Sequence, residues 1–281
     1  MAAIHQLARR ARENVPVDIR RNGPAIKASP SFEQILGIRF INGSPRQAIE
    51  YLESNRGYLV VPAAPALINI TRDAGYREAL LESDLAIADS GFMALLWRIV
   101  GGSKISRVSG LRYLQELFAI KPSARGGSFF VLPSLGARDK LRDWLAQQKI
   151  ELDEANTYIA PIYGERVEDP ALVDILNRLQ PGDIIVAVGG GTQEKLGLHL
   201  RRELSYRPAI HCIGAALGFI TGDQRPIPVW ADRLYLGWLL RVLGNPKLYG
   251  PRFWSARKLP ALIWRYRDRL PPLEKTETLK N

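Results

Sequence analysis

Residues 181–195 read Pro181-Gly-Asp-Ile-Ile-Val-Ala-Val-Gly-Gly-Gly-Thr-Gln-Glu-Lys195. Ile184 to Val188 is a short β-branched apolar run, with the length and make-up of a strand buried on both faces of a parallel sheet. Gly189, Gly190 and Gly191 follow, and Thr192 opens a stretch that reads as helix to about Leu204. Glycines let a backbone come close to a ligand, and the first N–H groups of a helix favour an anion. The segment therefore reads as strand, turn and helix around a phosphate or diphosphate. Gln193 and Glu194 would sit beside whatever that phosphate carries. A tight strand–helix connection with no ligand is the plainer alternative. The dinucleotide fingerprint fits poorly, because Glu194 holds the position of its third glycine, and no Walker lysine is present. A nicotinamide-dependent oxidoreductase therefore has only the glycines and the α/β pattern in its favour.

Outward from this stretch the same alternation recurs. Strands are expected at Gly37–Ile41, Gly57–Val61, Leu85–Ala88, Ser128–Leu132, Glu154–Ala160 and Ala209–Ile213. Helices are expected from Ser44-Pro45 to Leu52, over Tyr76–Leu81, Phe92–Val100, Ser109–Phe118 and Gly136–Gln148, and from Asp169-Pro170 to Leu179. Such alternation implies an α/β fold, a Rossmann-like parallel sheet with helices on both faces. Ligands of such sheets lie at the carboxyl ends of the strands. Asp89, Pro133-Ser134, Gly189–Glu194 and Gly214 all fall at those ends.

Charge divides the chain into three parts. Residues 1–30 hold six Lys/Arg against two Asp/Glu, and residues 241–281 hold ten against three; the stretch between is neutral, although the whole chain carries +11. The expected organisation is a basic N-terminal arm (1–30), an α/β core (31–233) and a C-terminal appendage (234–281). The appendage mixes Trp254, Trp264 and Tyr266 with Arg257, Lys258, Arg265 and Arg267, the composition of a helical segment lying on anionic lipid. A neutral core argues against nucleic acid as partner. The single Cys212 excludes an internal disulfide and a multi-cysteine metal site, and favours a reducing compartment. No signal-peptide core and no run of ~18 apolar residues occurs, so a cytoplasmic, soluble or peripheral protein is expected.

Single residues carry two readings each. Asp89, in Asp89-Ser90-Gly91, would either cap the next helix or act as a general base. Asp84 belongs to the other end of the same strand and reads as structural. Arg107 would be a surface arginine or a phosphate ligand, since guanidinium matches phosphate oxygens. His211-Cys212 lies in an expected core strand and reads as packing.

Taken together, several pieces resemble the bacterial WecG/TagA/CpsF glycosyltransferases. These are the run from Asp73 through Asp89-Ser90-Gly91, Arg107-Val-Ser-Gly110, Phe130-Val-Leu-Pro133, Gly189-Gly-Gly-Thr-Gln-Glu194, and Trp238-Leu-Leu-Arg241 with Asn245-Pro-Lys247. The resemblance runs from about Phe32 to Trp254. It implies inverting transfer of a sugar from a UDP-sugar to a polyprenyl-diphosphate-linked acceptor in polysaccharide or glycolipid assembly, with no metal and no cofactor. It also implies that Asp89 is the base, that Arg107 holds charge and that Gln193 contacts the donor sugar. Arg241, Lys247 and Arg252 would close over the diphosphate, and the tail would hold the enzyme on the inner face of the plasma membrane. A homo-oligomer is left open. Where the family has Thr-Pro-Asn this chain has Val61-Pro62-Ala63, which keeps a catalytically impaired nucleotide-sugar or lipid-binding partner as the alternative.

Overall fold

A computed structural model describes residues 30–101, 103–222, 254 and 256–274. Nearly all of the basic N-terminal arm, and Arg241, Lys247 and Arg252, lie outside the described residues. Eight strands form one sheet among them: β1 (Ser31–Ile35), β2 (Ile38–Asn42), β3 (Tyr58–Val60), β4 (Leu85–Ala86), β5 (Phe129–Leu132), β6 (Thr157–Ile159), β7 (Asp183–Val186) and β8 (Ala209–Cys212). Their order across the sheet is β1-β2-β4-β3-β8-β7-β5-β6. Every pairing is parallel except β1 with β2.

The helices are α1 (Pro45–Asn55), α2 (Ala64–Leu67), α3 (Ala74–Leu81), α4 (Gly91–Gly101), α5 (Gly110–Ile120), α6 (Ala124–Gly127), α7 (Leu135–Ala146), α8 (Pro170–Leu179), α9 (Thr192–Glu203), α10 (Ala216–Ile220) and α11 (Leu259–Tyr266). Their starts follow local chemistry. Ser44 and Gln47 form a reciprocal capping box on α1, Asp169 caps α8 ahead of Pro170, and Ser109 caps α5. Because side chains alternate along a strand, each strand feeds two cores. Tyr58, Val60, Ile184, Val186, Ile210 and Cys212 pack with α3, α4, α8, α9 and α11 on one face. Leu59, Ile185, Ile213, Phe130 and Leu132 pack with α1, α5, α7 and α10 on the other. The expected doubly covered parallel sheet is what the chain forms.

Two features lie beyond the sequence reading. The strand β1 pairs antiparallel with β2 through a two-residue turn, Leu36-Gly37, with φ of +53° and +82°. Positive φ at both positions is the type I′ hairpin geometry, for which Asn-Gly is the usual signal. Here Leu36 sits in it, fully buried, and the turn is held by the far end of the chain: Leu36 N donates to Arg267 O at 2.7 Å and Gly37 N to Asp268 O at 2.9 Å. That strap continues. Arg77 donates to Pro271 O, Glu274 N donates to Thr71 O at 2.6 Å, and Arg72 pairs with Glu274 at 2.7 Å. Just before it, α11 buries Leu259 and Ile263 in the core and packs against α4.

At the amino ends of the central strands a polar chain crosses the second core. Lys121 Nζ lies 2.9 Å from Glu53 and 2.6 Å from Asp183, Asp183 faces His211 Nε2 at 3.4 Å, and His211 Nδ1 meets Tyr113 Oη at 2.8 Å. Burial alone would raise the Asp183 carboxyl, but the His211 ring and the Lys121 ammonium more than offset it and bring it down to about 2. A depressed carboxylate stabilises the fold above its unfolded pKa of ~3.9, and that stability is lost as pH falls through the folded value. Asp183→Asn should therefore be less stable than wild type at neutral pH. The gap, followed by denaturant titration, should close as the pH falls from about 4 to about 2.

Candidate active site

The strand order decides where a ligand can enter. The segments after β3 and β7, carrying α2, α3 and α9, go to the first face, whereas α10, after the intervening β8, goes to the second. Adjacent strands whose continuations part to opposite faces leave a crevice outside their carboxyl ends. Asp89 follows β4 and the three glycines follow β7. These strands are three positions apart in the sheet, about 14 Å at ~4.8 Å per spacing.

The gap is filled by the start of α5 and the end of β8. Ala88 forms a parallel bridge with Arg107, and Val108 N donates to Ala88 O at 3.1 Å, which lays the chain before α5 alongside the end of β4. Gly110 N then donates to Asp89 Oδ1 at 3.1 Å. Gly110 is seated so closely that an added Cβ would lie 3.3 Å from Ile213 O and 3.7 Å from Val61 Cγ1. One residue on, Gly214 (φ +59°) abuts the Gln193 amide, with 3.2 Å from an added Cβ to Oε1. Asp89, Gly110, Gly214, Gln193 and Gly191 thus form an unbroken run of neighbours along the carboxyl edge.

Asp89 is half-buried and does not point into the hydrophobic core. Its side chain does not cap the following helix: Ser90 Oγ does that, accepting from Met93 N at 3.2 Å, while Asp89 reaches across to α5. Among the described residues its second oxygen, Oδ2, takes no hydrogen bond. Arg107 Nε donates to the Asp89 backbone carbonyl at 3.1 Å, so the guanidinium is anchored beside the carboxylate without spending the carboxylate's own oxygens. Asp84 is structural, as expected: Oδ2 accepts from Tyr58 N at 2.8 Å.

At the other end of the crevice Gly189 and Gly190 are exposed, with nothing within 4 Å of an added Cβ, and Gly191 adopts φ +93°. The turn is nonetheless bonded internally. Gln193 N donates to Gly189 O at 3.1 Å, and Gly191 N donates to Glu194 Oε2 at 2.6 Å. Gln193 and Glu194 are both enclosed, at 2% and 0% exposure. Glu194 Oε1 accepts from Gln193 Nε2 at 3.1 Å, while Gln193 Oε1 has no partner among the described residues. Burial pushes the Glu194 carboxyl up to about 7, against the pull of the Gln193 and Gly191 hydrogen bonds. Lys195, beside it, pairs with Asp73 at 2.6 Å and donates to Glu165 O at 3.2 Å, tying α9 to the loop after β6.

The site residues expected from sequence divide as follows. Asp89 and Arg107 come together at β4, and Gly189, Gly190, Gly191, Gln193 and Glu194 come together at β7. Sequence reasoning placed Gly214 at a strand end and Gly110 within Arg107-Val-Ser-Gly110, but gave neither a part in bringing the two groups together along the carboxyl edge.

The fold and crevice define an α/β protein with an exposed glycine turn at a helix N-terminus and a half-buried carboxylate along one edge of the sheet. The chain belongs to the glycosyl transferase WecG/TagA/CpsF family, whose model matches residues 33–275. It is similar to an N-acetylglucosaminyldiphosphoundecaprenol N-acetyl-beta-D-mannosaminyltransferase of Bacillus subtilis (strain 168), at 25% identity over 221 residues, covering 76% of this chain and 84% of the relative.

The α9 helix holds its place through Gly197, where an added Cβ would lie 2.5 Å from Cys212 Sγ and 3.1 Å from Tyr58 Cδ2. Gly197→Ala should lift α9 from the sheet and cost about 1–3 kcal/mol by overpacking, read as a lower denaturation midpoint.

Proposed function

We propose that the protein transfers a sugar, with inversion, from a UDP-sugar to a hydroxyl of a lipid-diphosphate-linked saccharide. The observation that carries this reading is the shared crevice: a glycine turn at a helix N-terminus on one side and the Asp89 carboxylate on the other. The acceptor class follows the relative, whose name specifies an N-acetylglucosaminyl-diphosphate-undecaprenol.

In this reading the donor diphosphate rests against Gly189–Gly191, where exposed backbone and the α9 N-terminus favour negative charge. The acceptor hydroxyl lies at Asp89 Oδ2, with Oδ1 held by the Gly110 N–H. Asp89 takes the hydroxyl proton as the oxygen attacks the anomeric carbon from the face opposite the diphosphate. The bond from that carbon to the diphosphate oxygen breaks, and its electron pair leaves with UDP. Arg107, anchored through its Nε to the Asp89 carbonyl, stabilises charge at the reacting centre. Arg241, Lys247 and Arg252 are proposed to reach the same diphosphate. Asp89→Asn should lower turnover by about 10²- to 10⁴-fold, the usual weight of a general base, while UDP-sugar binding by calorimetry stays near wild type. Near-normal turnover would remove Asp89 from the mechanism.

A lipid acceptor requires a membrane-facing surface. Among the described residues no helix is long and apolar enough to cross a bilayer, so contact is proposed to be interfacial. The helix α4 begins beside Asp89 and exposes Leu95 and Ile99. Its neighbour α11 exposes Trp264, and Trp254 stands just ahead of it with Arg257 stacked 4.2 Å over its ring. Together with Arg98, Lys258 and Arg265 these make an aromatic, cationic surface suited to the inner leaflet of a plasma membrane. Ile99→Glu combined with Trp264→Ala should abolish co-sedimentation with vesicles containing about 30% phosphatidylglycerol. Raising the salt to about 0.5 M should weaken wild-type binding by screening. Unchanged sedimentation of the double variant would place the contact elsewhere.

A second reading has one observation behind it. Val61 is buried against Gly110, and Val61-Pro62-Ala63 offers no polar side chain to the crevice. A protein that binds nucleotide sugar without transferring it would account for this. Binding of a UDP-sugar, with no turnover on native lipid extract, would favour that reading.

A further inference from the structure

Gln193 and Glu194 are consecutive residues in the first turn of α9, and their side chains form a closed unit. Glu194 Oε2 takes the Gly191 N–H at 2.6 Å, and Oε1 takes Gln193 Nε2 at 3.1 Å. The other end of the Gln193 amide, Oε1, has no partner among the described residues, and the amide as a whole abuts Gly214 at the end of β8, with 3.2 Å from an added Cβ to Oε1 and 3.3 Å to Nε2. A buried carbonyl without a donor carries a penalty that a ligand hydroxyl or N–H would relieve.

The two carboxyl oxygens are not equivalent when a proton is added. A backbone N–H can only donate, so Oε2 must remain an acceptor toward Gly191. A proton on Glu194 therefore belongs on Oε1, where it meets the Gln193 amide. The charged form accepts Nε2 and leaves Oε1 of Gln193 unpaired. The neutral form donates, so the amide must turn over, accept through its oxygen and leave its N–H groups unpaired.

We propose that Glu194 is a positioning residue whose ionisation decides whether Gln193 offers an acceptor or a donor to the bound molecule. The proposal rests on the reading that the turn after β7 holds the donor. With Glu194 charged, Gln193 selects a hydroxyl or N–H of the nucleotide sugar. With Glu194 neutral it suits only an acceptor, such as a phosphate oxygen or a carbonyl. Enclosure holds the Glu194 carboxyl near 7, so both forms are populated around neutral pH. The other ionisable groups facing it are Tyr76 and Asp73 from α3, Cys212 from β8, and Lys195 on α9. Burial pushes Tyr76 and Cys212 well up and keeps them neutral, and Asp73 and Lys195 offset each other as an ion pair.

Two measurements test this. In ligand-free protein, the side-chain amide ¹H and ¹⁵N signals of Gln193 are followed from about pH 5.5 to about pH 8.5. They should titrate with a midpoint near 7 in wild type and stay flat in Glu194→Gln, where a permanent amide donor replaces the acid. A flat wild-type profile, or a titration that survives in Glu194→Gln, would overturn the proposal.

The second measurement is calorimetry with a UDP-N-acetylhexosamine, whose diphosphate does not titrate in this range. Wild type should bind about fivefold more tightly at about pH 8 than at about pH 6, which is how much of a roughly tenfold hydrogen-bond effect titrates across that range around a midpoint near 7. Glu194→Gln should bind equally at both pH values and match wild type at the lower one. Gln193→Leu, which removes the amide and leaves the turn, should also lose the pH dependence. Wild-type pH dependence retained in either variant would contradict the proposal. If the UDP-sugar fails to bind while the Gln193 signals still titrate, the donor-site reading falls and the control of Gln193 by Glu194 stands.

Discussion

The hydrogen bond from Gly110 N to Asp89 Oδ1 is the contact on which the geometry of the crevice depends. It orients the carboxylate away from the helix that follows it and toward the end of β8. It also satisfies one of the unpaired N–H groups at the start of α5, so the same bond serves helix and site. Position 110 is closely seated: an added Cβ would lie 3.3 Å from the Ile213 carbonyl, which would have to give by a few tenths of an ångström, and in ordinary contact with Val61. The site is therefore built from close backbone approach as much as from reactive side chains.

Around that contact the fold uses ordinary parallel-sheet physics. Strands β3, β8 and β7 are buried on both faces, and the segments that leave their carboxyl ends diverge. The crevice is a consequence of strand order. At the β7 end an enclosed carboxylate is bonded to its own turn, and at the β4 end a backbone bridge joins Ala88 to Arg107. The chain's far end reinforces the opposite edge of the sheet. By capping the Leu36-Gly37 hairpin and burying Leu259 and Ile263 beside α4, it braces the helix that starts two residues after Asp89. The family relationship is what motivates the proposal of sugar transfer at this crevice, and the proposed lipid acceptor is what would engage the exposed aromatic surface.

Most of the sheet was legible in the sequence, because runs such as Ile184–Val188 and Ala209–Ile213 are β-branched, short and bounded by glycine or proline. The pairs Asp169-Pro170 and Ser44-Pro45 marked helix starts for a physical reason, side-chain capping ahead of a preset φ. The antiparallel β1 was not legible. Its turn places a buried leucine at positive φ, and that conformation is sustained by residues 267 and 268, more than two hundred positions away. Nor was the docking of α11, since Leu259 and Ile263 are interleaved with the arginines and tryptophans that pointed to a membrane. In the site, local patterns located Asp89 and the glycine turn separately. Their union through Gly110 and Gly214 is a tertiary fact, invisible to spacing. The chemical state of Glu194 was equally hidden, because enclosure rather than sequence position sets its proton affinity.

The central claim is that the turn after β7 receives the nucleotide's diphosphate while Asp89 faces the transferred sugar. A crystal structure of the protein with a non-hydrolysable UDP-sugar analogue tests it most directly. The account predicts phosphate oxygens within hydrogen-bonding distance of the Gly189–Gly191 backbone and the sugar lying on the path toward Asp89. An analogue bound away from that turn, or with its sugar directed away from Asp89, would contradict it.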